Sequence, residues 1–291
     1  MIDIAIHILL RFLGYIGAVL SPSMIKKFGS VIGLFMRKLN KKRVRITFDN
    51  IQKAFPEKNV QECNQIVIDS YTNLGIVLLE VSSMYFMNDN QLISKIHFEN
   101  IDIIEKLLQN GRGLVILSGH FANWELLAYS AGVYTGNSFL MVAKEQKNSY
   151  VNSAMKELRE RKNNVTVPME QAARPLISAL QNNKPVALLV DQAADPHKDI
   201  ILPFFNRPAV IFEAPATLCL RFNAPMIFGV PIRDKDGHYS VTLKEVPFDD
   251  LNNDRTGIEE LTKRHLAMLE QEIRKNPAQW AWQHNRWKYD V

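Results

Sequence analysis

The sequence predicts an α/β fold in which a largely parallel central sheet is flanked by helices, preceded by an N-terminal membrane-associated helical segment. The chain has 291 residues, of which 47% are hydrophobic, so it can bury a sizeable core. Short apolar runs typical of buried strands alternate with longer stretches of helical periodicity. We divide the chain into residues 1–45, the membrane-associated helices and basic run, and residues 46–291, one globular domain.

The first helix carries one narrow polar stripe on an otherwise apolar surface. Asp3, His7 and Arg11 follow one another at intervals of four residues, which places them on the same side of a helix. Such a helix favours lipid or a groove on a protein. Its uninterrupted apolar part covers residues 12–20, fewer than the roughly 20 residues that a membrane-spanning helix needs. We therefore expect the helix to lie in the membrane interface rather than to cross the bilayer.

A second amphipathic helix and a basic run come next. Apolar residues at positions 24, 28, 32 and 35 keep helical spacing beside two lysines, which suits an anionic bilayer surface. Residues 37–45, RKLNKKRVR, contain six basic residues and no acid. This run fits anionic lipid, an acidic protein or nucleic acid, or it is simply a solvated helix end. Because its neighbours are apolar and not stacking aromatics, we expect a bilayer and no nucleic acid.

From residue 46 onwards, helices and strands are predicted in alternation. Residues 60–86 and 104–113 have helical periodicity, and glycine ends the second of these helices. Strands are predicted over residues 114–117, 138–144, 165–168, 185–191, 224–232 and 238–243. Further helices are predicted from Trp124 onwards and over residues 149–161, 171–183, 211–223 and 257–276. Because helices usually connect parallel strands, this alternation indicates a largely parallel sheet.

A histidine stands in the turn between the strand at residues 114–117 and the next helix. His120 and Glu125 are five residues apart, which on one continuous helix would put them about 140° apart. We therefore expect His120 in the turn and Glu125 in the first helical turn, where its carboxylate accepts a hydrogen bond from the imidazole. That bond would leave the other ring nitrogen as a general base. The alternative is structural, with His120 capping the helix, because a lone His-x4-Glu pair is a weak motif.

Other common chemistries lack their sequence motifs. Ser118 has Ile116 where a G-x-S-x-G nucleophile elbow has its first glycine, and neither a P-loop nor a dinucleotide-binding glycine motif occurs. The seven histidines and two cysteines have no metal-ligand spacing, so we expect neither a metal nor another cofactor.

Five blocks of sequence carry a resemblance to a known family. They are DNIQKAFPE (residues 49–57), GHFANWE (119–125), DQ (191–192), PFFNRPA (203–209) and WAWQHNRWK (280–288). In order and spacing they resemble the lipid A biosynthesis acyltransferases, the late lauroyl and myristoyl transferases, over nearly the whole chain. The resemblance implies that residues 46–291 are an acyltransferase domain.

The resemblance also implies a reaction and a location. A fatty acyl chain would move from acyl-carrier protein or acyl-CoA to a hydroxyl of a membrane glycolipid such as a lipid A precursor. His120 would be the general base, paired with Glu125. The protein would work at the cytoplasmic face of the cell inner membrane, with the bilayer itself as a partner.

Further residues are candidates for binding substrate. Asn123 either contacts the acceptor or the oxyanion, or it starts the helix. Arg159 matches a family arginine that meets anionic acceptor groups, because its planar fork of donors pairs well with phosphate. Asp191 and Gln192 follow an apolar strand at the edge of the sheet where ligands bind. Arg286 either braces the site or belongs to an aromatic packing cluster.

Two positions depart from the family pattern and leave the acceptor open. Lys144 stands where the family often has an arginine; it keeps the charge and loses the planar fork, and we assign it to substrate binding. Asp195 stands where the family prefers a glycine. The acceptor could therefore be another membrane lipid, such as a mannolipid or a glycerolipid. A non-catalytic protein that binds the membrane surface is the second alternative.

Overall fold

The computed structural model describes residues 2–289, which form eleven α-helices and eleven strands. The helices are α1 (Ile2–Val19), α2 (Pro22–Leu39), α3 (Lys41–Ala54), α4 (Val60–Ser83), α5 (Asp89–Ile93), α6 (Asp102–Leu108), α7 (Trp124–Thr135), α8 (Ser149–Glu160), α9 (Ala173–Gln181), α10 (Ala214–Phe222) and α11 (Arg255–Lys275). The strands are β1 (Ile96–Phe98), β2 (Leu114–Ser118), β3 (Leu140–Ala143), β4 (Val165–Pro168), β5 (Pro185–Leu189), β6 (Ile200–Phe204), β7 (Arg207–Ile211), β8 (Met226–Phe228), β9 (Ile232–Arg233), β10 (Tyr239–Val241) and β11 (Lys244–Glu245).

The main sheet has six strands in the order β11-β8-β2-β5-β3-β4. All neighbouring pairs are parallel except β11 with β8. The predicted α/β class with a largely parallel sheet is therefore confirmed. Since β2 and β5 are parallel neighbours, the loops that follow Ser118 and Leu189 leave the sheet side by side.

The predicted strand over residues 224–232 is wrong as a single element. Met226–Phe228 belongs to the main sheet as β8, whereas Ile232 begins β9 in a separate three-stranded sheet of order β1-β10-β9. Pro231 lies between them and has no N–H for a strand ladder, so the chain changes sheets there. The predicted strand over residues 238–243 is β10 and lies in this smaller sheet.

Strands β6 and β7 form a β-hairpin that the apolar pattern does not predict. The two strands pair antiparallel from Ile200 with Ile211 to Phe204 with Arg207. Phe205 and Asn206 at the turn have φ of 51° and 56°. Two consecutive positive φ angles are what a tight two-residue hairpin turn requires, and asparagine tolerates them well.

The hydrophobic core lies on both faces of the main sheet, because successive strand side chains point to opposite sides. Leu114 packs in the cluster with α6 and α7, whereas Val115 and Leu117 pack in the cluster with α9 and α10. The cluster with α9 and α10 also contains three buried tryptophans of the C-terminal segment, Trp280, Trp282 and Trp287.

The first two helices pack against α4 at glycines. A Cβ added to Gly33 would lie 1.9 Å from the carbonyl oxygen of Tyr71, and one added to Gly75 would lie 2.1 Å from that of Gly29. Only glycine allows backbones to approach this closely. The helices therefore hold a fixed position on the domain.

The polar stripe of α1 faces protein. Arg11 pairs with Glu157 of α8 at 3.7 Å, and its guanidinium lies 4.3 Å from the centroid of the Tyr85 ring. Asn148, at the start of α8, donates to the backbone oxygen of Asp3 at 3.0 Å. The opposite faces of α1 and α2 expose many large apolar side chains, among them Ile2, Ile8, Phe12, Val19, Val31, Phe35 and Leu39.

Within residues 2–289, two helices are long and apolar enough to cross a membrane by length and composition. One is Ile2–Val19, with a mean hydropathy of 1.7 and 11% of its residues buried. The other is Val60–Phe86, with a mean hydropathy of 1.2 and 56% of its residues buried, which packs as a core helix.

The division of the chain after residue 45 stays a prediction. In the structure that position falls inside α3, and Asn50 and Ile51 of the same helix are buried in the domain.

We expect Gly33→Ala to lower the unfolding temperature, because the new methyl group meets the backbone of α4. Overpacking of this kind costs about 1–3 kcal/mol, more than the gain in helix propensity. Thermal unfolding followed by circular dichroism measures it. Val31→Ala is the matched control, since Val31 is 66% exposed, and it should change stability by less than about 0.5 kcal/mol. A Gly33→Ala protein that melts at the wild-type temperature would contradict the close packing.

Candidate functional site

The turn between β2 and α7 presents His120 and is held in a strained shape. Ala122 has φ of 37°, a left-handed conformation that alanine rarely adopts. Its N–H donates to the backbone oxygen of Gln279 at 2.8 Å, and Ala281 donates to the backbone oxygen of His120 at 3.0 Å. Asn123 caps α7 by accepting from the N–H of Leu126 at 3.0 Å. The C-terminal segment and the helix cap together fix the histidine.

His120 is oriented by Asp191, from the loop after β5. Its Nδ1 lies 2.6 Å from Asp191 Oδ1, and its backbone N–H donates to Asp191 Oδ2 at 2.6 Å. Trp280 Nε1 also donates to Oδ2, at 2.7 Å. A carboxylate only accepts, so Nδ1 carries the proton and Nε2 is left as the basic nitrogen. The side-chain amide nitrogen of Gln192 lies 3.3 Å from that Nε2.

The charges of this pair reinforce one another. Burial alone would lower the pKa of His120, but the charge of Asp191 and the hydrogen bond to it outweigh burial and raise that pKa. Burial alone would raise the pKa of Asp191, but His120 and the donated hydrogen bonds lower it. Asp191 therefore stays ionised and stabilises an imidazolium at His120.

The predicted hydrogen bond between Glu125 and His120 is wrong. Glu125 instead forms a two-point ion pair with Arg159 of α8, with Nε to Oε2 at 2.9 Å and Nη2 to Oε1 at 2.5 Å. Trp124 Nε1 donates to the same carboxylate at 3.1 Å. The reason is strand order: the end of the neighbouring strand β5 brings Asp191 to the imidazole, while Glu125 reaches across to α8.

A large apolar cavity opens beside His120. Ile116 pairs with Ala187 in the strand register, and Ser118 pairs with Leu189 two residues further along; all four line the cavity. Its volume is ≈ 290 Å³, near the lower end of the roughly 300–1,000 Å³ usual for ligand pockets. Further apolar side chains from strands, helices and loops line the wall, among them Phe98, Ile104, Leu127, Ala128, Ala131, Phe139, Met141, Met169, Phe212 and Leu243.

The polar lining comes from the carboxyl ends of the strands and from two helices. His120 and Gln192 follow β2 and β5, Lys144 follows β3, and Glu125 and Arg159 come from α7 and α8. The structure brings these five predicted site residues to one cavity. Two cations and one carboxylate give this end a net positive charge.

Three other predicted substrate-binding residues do not face the cavity. Asn123 is buried as the cap of α7, and its amide nitrogen lies 3.4 Å from Glu80 Oε2. Asp191 is buried, and all of its contacts described above are with protein donors. Arg286 is 1% exposed and packs over the Phe204 ring at 5.0 Å. Direct contact of these three residues with substrate stays a prediction, and their burial and protein partners do not favour it.

The sequence pattern did not predict a half-buried polar network behind the His120 turn. Glu80 of α4 accepts from the Tyr239 hydroxyl and lies 3.8 Å from Arg233 Nη1. The backbone N–H of Arg233 donates to Gln279 Oε1 at 2.8 Å. Burial raises the pKa of Glu80 despite the opposing charge of Arg233. The available signal was Glu80 itself, the one acidic residue in the mostly apolar stretch of residues 70–86.

A comparison with known proteins gives consistent matches. The family model described as bacterial lipid A biosynthesis acyltransferase matches residues 1–289. The lipid A biosynthesis palmitoleoyltransferase of Escherichia coli (strain K12) is 21% identical over 260 residues, 89% of this chain and 83% of that protein. The lipid A biosynthesis lauroyltransferase of the same strain is 21% identical over 271 residues, 91% of this chain and 85% of that protein. A lipid A biosynthesis acyltransferase of Shigella flexneri is 21% identical over 260 residues.

Proposed function

This chain belongs to the bacterial lipid A biosynthesis acyltransferase family and is an acyltransferase, and we propose that it moves a fatty acyl chain from a thioester to a hydroxyl of a lipid A precursor. The observation that carries the proposal is the position of His120, held by Asp191 at the polar end of an apolar cavity. The apolar walls suit an acyl chain, and the polar end suits the reacting groups.

His120 is the proposed general base. Its Nε2 takes the proton of the acceptor hydroxyl as the hydroxyl oxygen attacks the thioester carbonyl carbon. Asp191 stabilises the imidazolium that forms. The tetrahedral intermediate then collapses, the carbon–sulfur bond breaks, and the departing thiolate receives the proton from His120. The ester and the free thiol are the products, and no covalent enzyme intermediate forms.

The remaining polar groups are proposed to place the substrates. The side-chain amide of Gln192 lies 3.3 Å from His120 Nε2. When the acceptor binds, its hydroxyl takes the place of this amide as the hydrogen-bond donor to Nε2. Glu125 occupies two corners of the Arg159 guanidinium, Nε and Nη2, so Nη1 remains available to an anionic acceptor group. Lys144 adds a second cation at the same end. Two cations suit the phosphates of a lipid A precursor, and the charge of Glu125 holds Arg159 in place.

The experiment that tests this function combines purified protein with an acyl thioester and a lipid A precursor. We expect the precursor to gain the mass of one acyl chain, with an equal amount of thiol released. Acyl-carrier protein and acyl-CoA donors are assayed in parallel to identify the donor. Product on a mannolipid or glycerolipid alone would move the enzyme to another acceptor. Binding of vesicles with no thiol release from either donor would favour the non-catalytic alternative.

We also propose that the exposed faces of α1 and α2 bind the inner-membrane bilayer at its cytoplasmic face. Large apolar side chains cover these faces, and the basic run, residues 37–45, continues from α2 into α3. Within the run, Arg43 Nη1 donates to the backbone oxygen of Gln283 at 3.0 Å, whereas Lys41 and Lys42 are exposed. Exposed lysines beside apolar faces fit an anionic lipid surface.

We expect the triple variant Ile8→Ser, Phe12→Ser and Phe35→Ser to bind anionic vesicles at least tenfold more weakly. Burying one such side chain contributes roughly 1.5–3 kcal/mol, and all three are exposed on α1 and α2. Vesicle flotation measures the bound fraction. Ile201→Ser is the control, since Ile201 is 50% exposed on β6, away from these helices. Equal binding by the triple variant and wild type would contradict the proposed membrane surface.

A further inference from the structure

A second, small cavity adjoins the His120–Asp191 pair and is distinct from the apolar cavity. Its lining comes from the ends of β2 and β5 and from the C-terminal segment: His120, Asp191, Gln192, Trp280, Ala281, His284 and Arg286. Its volume is ≈ 10 Å³, which is at the lower limit of the roughly 10–15 Å³ that one water molecule needs. The acyl-transfer steps described above leave this cavity and its arginine without a role.

Arg286 is an unusual group to find here. The residue is 1% exposed, and its Nη1 donates to the backbone oxygen of Val210 at 3.0 Å. Its Nε and Nη2 are buried and have no hydrogen-bond partner among residues 2–289. No carboxylate within those residues lies within 4.0 Å of the guanidinium. A buried charge without a partner is costly, so its retention needs a compensating interaction.

The compensating charge is Asp191. Burial lowers the pKa of Arg286 to about 10, and the charge of Asp191 opposes that lowering. The guanidinium therefore remains charged at neutral pH, facing the carboxylate that orients His120. Water in the small cavity can accept from the free guanidinium N–H groups and donate to the carboxylate.

We propose that Arg286 is a positioning residue for acyl transfer: across the small cavity its charge balances that of Asp191, so that resting His120 stays neutral and able to accept a proton. This inference rests on the proposed function of His120 as the base. Arg286 touches no substrate and acts through Asp191.

The charges around His120 support this balance. Asp191 faces the imidazole from the loop after β5, and Glu125 and Arg159, from α7 and α8, form a neutral ion pair beside it. His284, from the C-terminal segment, has its pKa lowered to about 4 by burial, so it is uncharged at neutral pH. Lys144, after β3, also lines the large cavity, but its side chain is exposed, so solvent screens its charge. Without Arg286, the one remaining unpaired buried charge beside His120 would be the carboxylate of Asp191. That carboxylate would hold a proton on His120 before substrate arrives, and a protonated histidine is no base.

The test is the pH dependence of kcat/KM in Arg286→Met and Arg286→Lys. The base must be neutral, so kcat/KM falls as pH falls through the pKa of His120. Removing a nearby positive charge raises that pKa by about one unit or more. We therefore expect the acid limb of Arg286→Met to move upward by about one pH unit, with roughly tenfold lower kcat/KM at pH 6 and near wild-type values at pH 9. Arg286→Lys keeps the charge and should leave the limb near its wild-type position.

Trp287→Phe is the matched structural control, because Trp287 packs near the same Phe204 ring, with ring centroids 5.9 Å apart, and carries no charge. It should lower stability and leave the acid limb in place. An Arg286→Met protein that loses kcat/KM equally at every pH, or whose limb stays fixed, would overturn the inference. If Arg286→Met does not fold, Arg286→Lys serves as the test. An upward shift of its acid limb by one pH unit would overturn the inference.

A direct titration separates this inference from the proposed function. The imidazole signal of His120, assigned by its loss in His120→Ala, is followed by NMR in wild type and Arg286→Met. A titration midpoint that moves to higher pH in Arg286→Met supports the charge balance whether or not His120 is the catalytic base, and an unmoved midpoint overturns it. Retained acyl transfer by His120→Ala would overturn the proposed function alone.

Discussion

Substituting His120 by alanine is expected to lower the rate of acyl transfer by about 10² to 10⁴-fold, the usual contribution of a general base. The imidazole Nε2 is the basic nitrogen that lines the apolar cavity, and the carboxylate of Asp191 lies behind the ring. Without it, water must accept the proton of the acceptor hydroxyl. The measurement is the initial rate of ester formation on a lipid A precursor, at saturating acyl thioester.

The fold should survive this change. Asp191 keeps two donors, the backbone N–H of residue 120 and Trp280 Nε1, so its charge is not left without partners. His97→Ala is the matched control, since His97 is an exposed histidine in β1, outside the cavity lining. It should keep wild-type activity. Residual transfer above about a tenth of wild type in a folded His120→Ala protein would count against the base.

Asp191→Asn is expected to have the second-largest effect, again a loss of about 10² to 10⁴-fold in kcat. The size of the side chain is unchanged, but an amide donates as well as accepts. If its NH₂ group turns to Nδ1, the proton moves to Nε2 and the base is lost; in Ser-His-Asp triads the corresponding change costs about 10⁴-fold. The imidazolium also loses the negative charge that stabilises it. Steady-state kinetics of the folded variant measure both effects.

Glu125→Gln provides the matched comparison for Asp191→Asn, because both changes replace a buried carboxylate near His120 by its amide. Glu125 pairs with Arg159, so its amide should weaken the hold on Arg159 and raise KM for the lipid acceptor more than it lowers kcat. If Glu125→Gln lost kcat as severely as Asp191→Asn with unchanged KM, the assignment of Asp191 as the orienting group would fail.

The local structure around His120 could be predicted from the sequence. The apolar run of residues 114–117, the turn and the helix starting at Trp124 are confirmed as β2, the turn and α7. The hydrogen-bond partner of His120 could not, because Asp191 lies 71 residues away. The order of strands in the sheet places β5 beside β2, and hydrophobic periodicity does not encode that order.

Residue type alone also did not distinguish residues that contact substrate from buried residues that hold other side chains in place. Asn123 and Arg286 were candidates for both roles, and their burial favours a supporting role, because each is 1% exposed. The polar network of Glu80, Arg233 and Gln279 joins three distant segments of the chain. Such contacts depend on the tertiary fold, and the local sequence shows only one sign of them, an acidic residue in the apolar second half of α4.

The pH profile of kcat/KM tests the central claim, that His120 held by Asp191 is the base, most directly. Because Asp191 raises the pKa of His120 above its usual 6.5, wild-type kcat/KM should fall with unit slope below a midpoint higher than that value. In Asp191→Asn the midpoint should move to lower pH, and further than in Glu125→Gln. A midpoint that stays in place in Asp191→Asn, or that moves more in Glu125→Gln, would contradict the account.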